Sequence, residues 1–250
     1  MSPETPPPLV SLHLADSSLL LPTLPDSSFD FVLTDPPYSP GGASPVSRSS
    51  PAWAKIQDAD ARTRYPAFAG DSRDSRSLYS WLLFVLGHCR RVARPNGILL
   101  LFSDWRNVPL FSDAVQGAGW VWRSLVVWDK TAKARPNRGF FRHQAEYVLF
   151  ATRGAWEPPT SAALPGVFTM AASGKNHVAS KPVALARALA AVLPAPSDVL
   201  DPFMGGGNLL RGALEEGHRV TGIELEPASF REAEILLEGR PAPLRFHRGL

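Results

Sequence analysis

The last third of the chain alternates apolar runs with helix-forming runs at a spacing that few folds accommodate. Asp198 to Asp201 and Arg219 to Glu224 have the composition of buried strands, and a helix-forming run, Gly207 to Glu216, lies between them. A glycine turn joins the first strand to this helix, and a second helix-forming run, Pro227 to Glu238, follows. A strand–helix–strand connection of this length places both strands parallel in one sheet. The segment therefore predicts a βαβα unit of an α/β fold.

The same alternation extends over the rest of the chain. Five further runs have strand character: Val10 to Ala15, Phe29 to Thr34, Ile98 to Phe102, Trp120 to Trp128 and Tyr147 to Thr152. Three more have the apolar period of helices: Ser77 to Arg94, Val108 to Gly117 and Lys181 to Leu193. We therefore expect an α/β fold with a mostly parallel, twisted, seven-stranded sheet and helices on both faces. A chain of 250 residues, 44% of them hydrophobic, is large enough to form this sheet as a single domain, residues 1–250.

Composition excludes several other classes. A single cysteine, Cys89, excludes a disulfide framework, and the six histidines lack the spacing of metal ligands, so no metal is expected. No stretch approaches the roughly 18 consecutive apolar residues that span a membrane. We therefore expect a soluble, cytoplasmic protein.

The string Thr34-Asp35-Pro36-Pro37-Tyr38 stands at the end of a predicted strand. The Asp35 carboxylate and a proline carbonyl can accept hydrogen bonds from the N–H bonds of an amino group on a flat ring, and the prolines carry no competing backbone N–H. Such acceptors free a lone pair that is otherwise delocalised into the ring. Tyr38 is placed to stack on that ring. The string predicts a site that grips an extruded nucleobase by its exocyclic amine, although alone it is also compatible with a plain turn.

The glycine turn, Asp201-Pro202-Phe203-Met204-Gly205-Gly206-Gly207, predicts a site for a cofactor that carries adenosine. Its glycines let the backbone approach a ligand, and Asp201 can accept a hydrogen bond from an ammonium group. Glu224, which lies 23 positions after Asp201, can accept from both ribose hydroxyls. The turn matches neither a dinucleotide fingerprint nor a P-loop, because no lysine and serine follow it to hold phosphates. A cofactor with an amino acid and an adenosine but no phosphate fits better, and a plain tight turn is the alternative.

Three segments between the predicted elements are basic or lack periodicity. Residues 130–143 form a basic loop without an acidic residue, and a solvated surface loop is the alternative to a phosphate-binding one. Its cations are Lys130, Lys133, Arg135, Arg138 and Arg142. Residues 39–70 predict a mobile loop that closes over the base. Residues 154–176 predict a linker or a small target-recognition insert.

Together, the two strings resemble the DNA amino-methyltransferases that use S-adenosylmethionine, in the permuted order where the catalytic strand precedes the cofactor strand. The likeness covers nearly the whole chain and is strongest to short bacterial and prophage-borne members. Further matching segments are Gly70-Asp71-Ser72-Arg73, Arg91-Val92 through Pro95-Asn96-Gly97, Val127-Trp128-Asp129-Lys130-Thr131, Glu146-Tyr147-Val148, and His177 with Lys181-Pro182. The resemblance implies a Rossmann-like methyltransferase fold, S-adenosyl-L-methionine as cofactor, methylation of a base amino group, and often a homodimer.

The resemblance also implies roles for residues. By position, Asp35, Pro36, Pro37 and Tyr38 form the catalytic quartet. The implied cofactor pocket consists of Asp201, Phe203, Gly205, Gly207, Glu224, Asp16 and Lys181. Glu224 contacts the ribose, Asp16 the adenine and Lys181 the cofactor carboxylate; a helix N-cap is the alternative for Asp16, and a surface position for Lys181. The chain departs from the family at Gly206, where Ser or Thr is usual, and at Asn208, where Thr is usual.

We expect a site-specific DNA methyltransferase that acts on double-stranded DNA, associates with the nucleoid and works beside a restriction endonuclease. Adenine N6 is preferred over cytosine N4, because Asp at the first catalytic position is the family's tendency for adenine. Methylation of RNA or of a protein glutamine, and a non-catalytic nucleic-acid-binding subunit, are the alternatives. The basic loop is expected to contact DNA phosphates. Four tryptophans are expected to serve in core or strand packing, with a platform for bases as the alternative: Trp105, Trp120, Trp122 and Trp128.

Overall fold

The computed structural model describes residues 9–37, 74–134, 136, 139, 141–172 and 181–238, and the backbone of residues 244–248. The strands among these residues form one sheet. They are β1 (Val10–Leu14), β2 (Phe29–Thr34), β3 (Ala93–Ser103), β4 (Val121–Asp129), β5 (Ala145–Thr152), β6 (Val167–Thr169), β7 (Asp198–Asp201), β8 (Arg219–Glu224) and β9 (Leu244–Arg248). Their order across the sheet is β6-β4-β5-β3-β2-β7-β8-β1-β9. Strand β5 is antiparallel to β3 and β4, and the other neighbours are parallel.

Helices connect most of the parallel strands. Those described are α1 (Ser17–Leu20), α2 (Ser75–Val92), α3 (Val108–Gly117), α4 (Val183–Ala190), α5 (Asn208–Glu215) and α6 (Pro227–Glu238). Helix α2 begins where the Asp74 carboxylate accepts hydrogen bonds from the backbone N–H groups of Arg76 and Ser77. Its buried residues recur every three or four positions, so that one stripe of the helix faces the sheet.

Alternate residues of the central strands pack on opposite faces of the sheet. In β2, Phe31 and Leu33 belong to the apolar cluster that contains residues of α4, α5 and α6. Val32, between them, belongs to the cluster that contains residues of α1, α2 and α3. Because side chains alternate along a strand, one apolar run supplies both clusters. The predicted α/β fold, with a mostly parallel sheet covered on both faces, is therefore confirmed.

Strands β2 and β7 lie side by side in the middle of the sheet, with Phe31 opposite Val199 and Val32 opposite Leu200. From β2 the chain continues to β3 on one side, and from β7 it continues to β8 on the other. The strand order therefore reverses between β2 and β7. In open α/β sheets such a switch point opens a crevice beyond the carboxyl ends of the strands, and ligands bind there. The string that starts at Thr34 and the glycine turn that starts at Asp201 both begin at this crevice.

The sheet contains nine strands in the described residues rather than the predicted seven. The two additional strands, β6 and β9, lie at the edges, and β6 is a three-residue strand inside the predicted insert 154–176. Strand β3 begins at Ala93 rather than at Ile98, because a register shift lets Ala93 pair with Phe29 before Ile98 pairs with Phe31. The predicted loop 39–70 lies outside the described residues.

Three findings concern the single cysteine, metal binding and membrane spans. Cys89 is buried on α2, and burial raises the pKa of its thiol to about 12. Within the described ranges, no three or more His, Cys, Asp and Glu side chains gather into a group that could hold a metal ion. None of the described helices is both long and apolar enough to cross a membrane.

Candidate active site

Asp35 begins the chain segment that leaves β2 at the crevice. The preceding residue, Thr34, is buried, and its hydroxyl donates a 2.6 Å hydrogen bond to Oδ1 of Asp201 at the end of β7. Pro36 is buried and Pro37 half-buried, so the predicted proline corner lies against the protein. Tyr38 lies outside the described residues. The structure thus brings Asp35 and Asp201 to neighbouring strand ends, as the two strings require.

Four side chains of alternating charge form a row that starts at Asp35, and we call it the charge row. Lys181 Nζ lies 2.5 Å from Asp35 Oδ2 and 3.2 Å from Glu146 Oε2. Lys130 Nζ lies 3.1 Å from Glu146 Oε1. The Lys181 side chain is only 6% exposed and also lies over the Phe102 ring, with Nζ 5.2 Å from the ring centroid. Because each carboxylate contacts a lysine, the row can place these charges in a poorly solvated site.

The charge row sets the protonation of its carboxylates. Burial raises the pKa of Asp35, while the positive charge of Lys181 opposes this rise and the negative charge of Glu146 adds to it. Burial would also raise the pKa of Glu146, but Lys181 and Lys130 together lower it below its usual range. Oδ1 of Asp35 is buried and has no hydrogen-bond partner among the described residues. Asp35 therefore offers one carboxylate oxygen to an incoming donor, while Lys181 holds the other.

Asp201 forms the second half of the crevice and is fully buried. Its Oδ1 accepts hydrogen bonds from the Thr34 hydroxyl and, at 3.0 Å, from the backbone N–H of Phe203. Its Oδ2 is buried and has no hydrogen-bond partner among the described residues. Burial raises the pKa of Asp201 to about 7. A buried acceptor without a donor is costly, and a ligand ammonium group would supply the missing partner.

The glycine turn after β7 has the left-handed backbone that glycines allow. Gly205 and Gly207 have φ angles of 51° and 85°. No atom lies within 4 Å of the position that a Cβ of Gly205 would occupy, so the turn is open there. At Gly207 a Cβ would lie 3.0 Å from the Cβ of Ala233, because α6 packs closely against the turn. The turn therefore presents backbone to the crevice on one side and to a helix on the other.

Glu224, at the end of β8, ties this strand to the glycine turn. Its carboxylate accepts hydrogen bonds from the backbone N–H of Gly205 at 2.9 Å and of Glu226 at 2.7 Å. Burial raises its pKa, although these backbone N–H groups oppose the rise. Leu225 follows and is 50% exposed, although it is apolar. The pair therefore offers a carboxylate beside an exposed apolar side chain.

Asp16 follows β1 on the far side of β8, where the backbone N–H of Ala15 donates to the carbonyl of Glu224. The Asp16 carboxylate accepts from the Ser18 backbone N–H at 2.7 Å and caps α1. The N-cap that we held as the alternative for Asp16 is thus present, and its contact with the cofactor adenine stays a prediction.

Phe203 is fixed by an aromatic contact that sequence reasoning missed. The rings of Phe203 and Trp81, on α2, have centroids 5.1 Å apart. The indole Nε1 of Trp81 donates to the hydroxyl of Ser18, and the hydroxyl of Ser17 donates to the carbonyl of Pro202. Helices α1 and α2 thereby form one wall of the crevice.

The basic residues of the 130–143 loop divide into separate groups. Lys130 belongs to the charge row. The Arg142 guanidinium donates to the backbone carbonyls of Ala132 and Ala134, so it holds the loop's own turn. Lys133 is exposed. Arg135 and Arg138 lie outside the described residues. Contacts of these residues with DNA stay predictions.

The tryptophan expectation was half right. Trp120 and Trp128 are 3% and 2% exposed, as expected of core residues. Trp105 and Trp122 are 52% and 38% exposed, so neither lies in the core, although Trp122 is a residue of β4. Trp105 lies in the turn beyond the end of β3, where the sheet no longer covers it. Trp122 lies near the start of β4, whereas β6 covers β4 only from Val127 onward.

Comparison with known proteins assigns a family to this geometry. A family model described as a DNA methylase, N6/N4 type, matches residues 29–167, which include β2, Asp35 and Glu146. The chain belongs to the N6/N4 DNA methylase family. YubD of Escherichia coli K12, a methylase by name, is 31% identical over 212 residues, which cover 84% of this chain and 82% of YubD.

Solved structures agree with this methylase in fold. TTHA0409 of Thermus thermophilus, a DNA modification methylase by name, was solved with S-adenosyl-L-methionine. It is 20% identical to this chain with a TM-score of 0.68, over 96% of this chain and 98% of that one. The PvuII DNA methyltransferase, named as cytosine-N4-specific, is 14% identical with a TM-score of 0.67, over 92% of this chain and 88% of its own. Both likenesses identify the Rossmann-like methyltransferase fold.

The two departures of this methylase from its family's usual residues are accommodated in the crevice. The side-chain amide of Asn208 donates a 2.9 Å hydrogen bond to the backbone carbonyl of Lys181. Asn208 therefore fixes the backbone that carries the charge row. At Gly206 a Cβ would lie 3.2 Å from Oε2 of Glu232, the end of a flexible side chain. Glycine is thus not required at position 206 by the surrounding backbone.

Proposed function

We propose that this DNA methyltransferase transfers a methyl group from S-adenosyl-L-methionine to the exocyclic N6 amine of adenine in double-stranded DNA. The observation that carries the proposal is the buried Asp35 Oδ1, which has no hydrogen-bond partner among the described residues and lies at the switch point beside Asp201. An amine N–H would supply the donor that Asp35 Oδ1 needs.

The cofactor side of the crevice fits a molecule that carries an ammonium group and an adenosine. Asp201 Oδ2 offers a buried acceptor to the ammonium, and the open side of Gly205 lets the backbone approach the ligand. Glu224 is placed to accept from the ribose hydroxyls, and Leu225 to pack against the adenine. When bound, S-adenosyl-L-methionine supplies a methyl group activated by a positively charged sulfur.

On the substrate side, Asp35 does the chemistry that the chain itself supplies. Its Oδ1 accepts a hydrogen bond from the amine, and a carbonyl of Pro36 or Pro37 accepts the second, which draws the lone pair out of the ring. Transfer of the methyl group from the cofactor sulfur to the amine nitrogen would break the S–C bond, release the cofactor as its thioether and leave one proton to be removed from the nitrogen, and Asp35 Oδ1 is placed to take that proton. Lys181 favours the ionised form of Asp35 before this step, because its charge opposes the rise in pKa caused by burial.

Product analysis separates the proposed target from its rivals. The protein is incubated with isotope-labelled S-adenosyl-L-methionine and either duplex DNA or duplex RNA, and the digested nucleosides are identified by mass spectrometry. We expect labelled N6-methyladenine from DNA and no product from the Asp35→Ala variant. Labelled N4-methylcytosine would show that the target base is cytosine and not adenine. Labelled RNA with unlabelled DNA would overturn the proposed substrate.

A non-catalytic role is tested by the cofactor alone. Calorimetry with S-adenosylhomocysteine should detect binding, and absence of binding would favour a nucleic-acid-binding subunit without activity. The homodimer, the endonuclease partner, the nucleoid location and the single-domain organisation with a recognition insert at 154–176 stay predictions.

A further inference from the structure

An exposed tryptophan lies at the same edge of the sheet as the catalytic aspartate. Strand β3 runs parallel to β2, with Leu101 opposite Thr34. Asp35 follows Thr34 directly, and Trp105 follows the end of β3 at Ser103 by two residues. Both segments therefore leave the sheet at its carboxyl edge from neighbouring strands. The Trp105 side chain is 52% exposed in a position that packing does not explain.

The turn that carries Trp105 is held by a dense set of hydrogen bonds. Oδ1 of Asp104 accepts from the backbone N–H of Arg106 at 3.1 Å, from that of Asn107 at 3.0 Å and from the Asn107 side-chain amide at 2.9 Å. The hydroxyl of Ser103 donates to the carbonyl of Asp104 at 3.0 Å. The backbone under Trp105 is thus ordered before any ligand arrives, which lowers the entropy lost on binding.

Cationic and aromatic side chains surround the indole. The Arg106 guanidinium lies 5.4 Å from its ring centroid, and the His143 ring centroid lies 5.9 Å away. Phe141, which precedes β5 at this same edge, is 96% exposed. Oδ1 of Asp104 is engaged by the turn, and its Oδ2 lies 3.6 Å from Nη1 of Arg106. Exposed aromatic rings combined with cations are the chemistry with which proteins bind unstacked nucleobases along a phosphate backbone.

We propose that Trp105 stacks on a nucleobase of the substrate duplex that borders the extruded target base. The inference rests on the proposed function, since a base must leave the duplex for its amine to reach Asp35. Extrusion leaves the neighbouring bases with an unstacked face, and a preordered indole at the edge of the crevice replaces the lost stacking. Arg106 favours DNA over an apolar protein partner, because its guanidinium attracts phosphates.

The chain offers a matched control in Trp122. It is also an exposed tryptophan, but it lies near the start of β4 and opposite Ala151 near the end of β5, toward the other end of these strands. We therefore compare Trp105→Ala with Trp122→Ala. The measurements are the Kd for fluorescein-labelled duplex in the presence of S-adenosylhomocysteine, and the kcat and KM of methyl transfer. Because base–aromatic stacking contributes about 1–3 kcal/mol, Trp105→Ala should raise the Kd for DNA by about five-fold to about 150-fold, and Trp122→Ala by less than about two-fold.

Two further measurements identify stacking as the cause. The emission of 2-aminopurine at the target position rises when that base leaves the duplex, and this rise should be smaller for Trp105→Ala than for Trp122→Ala. Trp105→Phe should restore binding, whereas Trp105→Leu, apolar but unable to stack, should not. This pair keeps the test valid if the alanine variant unfolds. Equal DNA affinity of the phenylalanine, leucine and wild-type proteins would overturn the inference. Failure of the wild-type protein to methylate DNA would instead overturn the proposed function.

Discussion

At the scale of single residues, the contacts of Lys181 assign it a role that its place in the sequence did not suggest. The sequence placed it at the cofactor carboxylate or, as the alternative, at the surface. Its side chain is 6% exposed and pairs with Asp35 and Glu146, so the surface alternative was wrong, and a contact with the cofactor stays a prediction. In the charge row, Lys181 is a positioning residue that acts through Asp35.

The pH dependence of methyl transfer tests this role. Asp35 must be ionised to accept from the amine. Replacing Lys181 by Met removes the charge that lowers the pKa of Asp35, so the acidic limb of the kcat profile should move to higher pH. Glu146→Gln removes a charge that raises the same pKa, so the limb should move the opposite way. Lys181→Arg keeps the charge and should resemble the wild-type protein.

These opposite shifts distinguish electrostatics from damage to the fold. A merely structural role for Lys181 would lower kcat at every pH without moving the limb. If the acidic limb moved in the same direction in Lys181→Met and Glu146→Gln, the charge row could not be what controls the pKa of Asp35.

Asp201 makes a second residue-scale prediction, for stability. Its pKa is raised from 3.8 to about 7, so between these values the folded protein binds a proton that the unfolded chain has lost. This group therefore reduces the free energy of unfolding as pH rises through that window, and adds no further change above it. Asp201→Asn cannot ionise, so its urea-unfolding free energy should fall less than the wild-type value between about pH 4 and about pH 7. If the unfolding free energy fell equally in the wild-type protein and in Asp201→Asn over this pH range, Asp201 would not be a buried group that binds a proton.

At the scale of elements, the turn between β7 and α5 contains two adjacent glycines under different constraints. Gly207 has a φ of 85° and packs against Ala233, whereas Gly206 faces only the end of Glu232. Gly207→Ala should destabilise the protein by about 1–2 kcal/mol from the left-handed backbone alone, with a further cost from the close contact. Gly206→Ala should change stability by less than about 0.5 kcal/mol. Urea unfolding of both variants makes this comparison, and equal losses would contradict it.

The antiparallel pairing of β4 and β5 explains a site residue whose role was missed. Asp129 pairs with Ala145, so Lys130 lies opposite Gln144, and Glu146 becomes its diagonal neighbour on the same face of the two strands. The sequence showed Lys130 only as a cation of a basic loop and Glu146 only as part of a family string. The sequence did not indicate that Lys130 and Glu146 contact each other, because the antiparallel pairing that brings them together was not expected. The antiparallel strand is the element that completes the charge row.

At the scale of the whole molecule, the basic residues of the loop should differ in their effect on DNA binding. Lys133 is exposed, whereas Lys130 is bound in the charge row. If Lys133 neutralises a phosphate, Lys133→Ala should reduce the slope of log K against log salt by about one. Lys130→Met should leave that slope unchanged and lower kcat. Fluorescence anisotropy with labelled duplex over a range of salt concentrations measures both slopes. An equal reduction of the slope in Lys133→Ala and Lys130→Met would contradict the different roles of these two lysines.

The extent of what could be predicted from the sequence follows from the range of each interaction. Strand ends, the glycine turn and the helix stripes depend on nearby residues, so the fold class and both strings were identified. The contact between Thr34 and Asp201 spans 167 positions, and only the sheet order brings them together. The exposure of Trp105 and Trp122 depends on where neighbouring strands stop, which apolar patterning does not encode.

The Thr34–Asp201 hydrogen bond makes two positions that are far apart in the sequence depend on each other. Without the hydroxyl, Oδ1 of Asp201 would keep only the backbone N–H of Phe203 as a donor, and without the carboxylate the buried Thr34 hydroxyl would lose its acceptor. Lineages that descend from this chain should therefore accept a change at one position only together with a compensating change at the other.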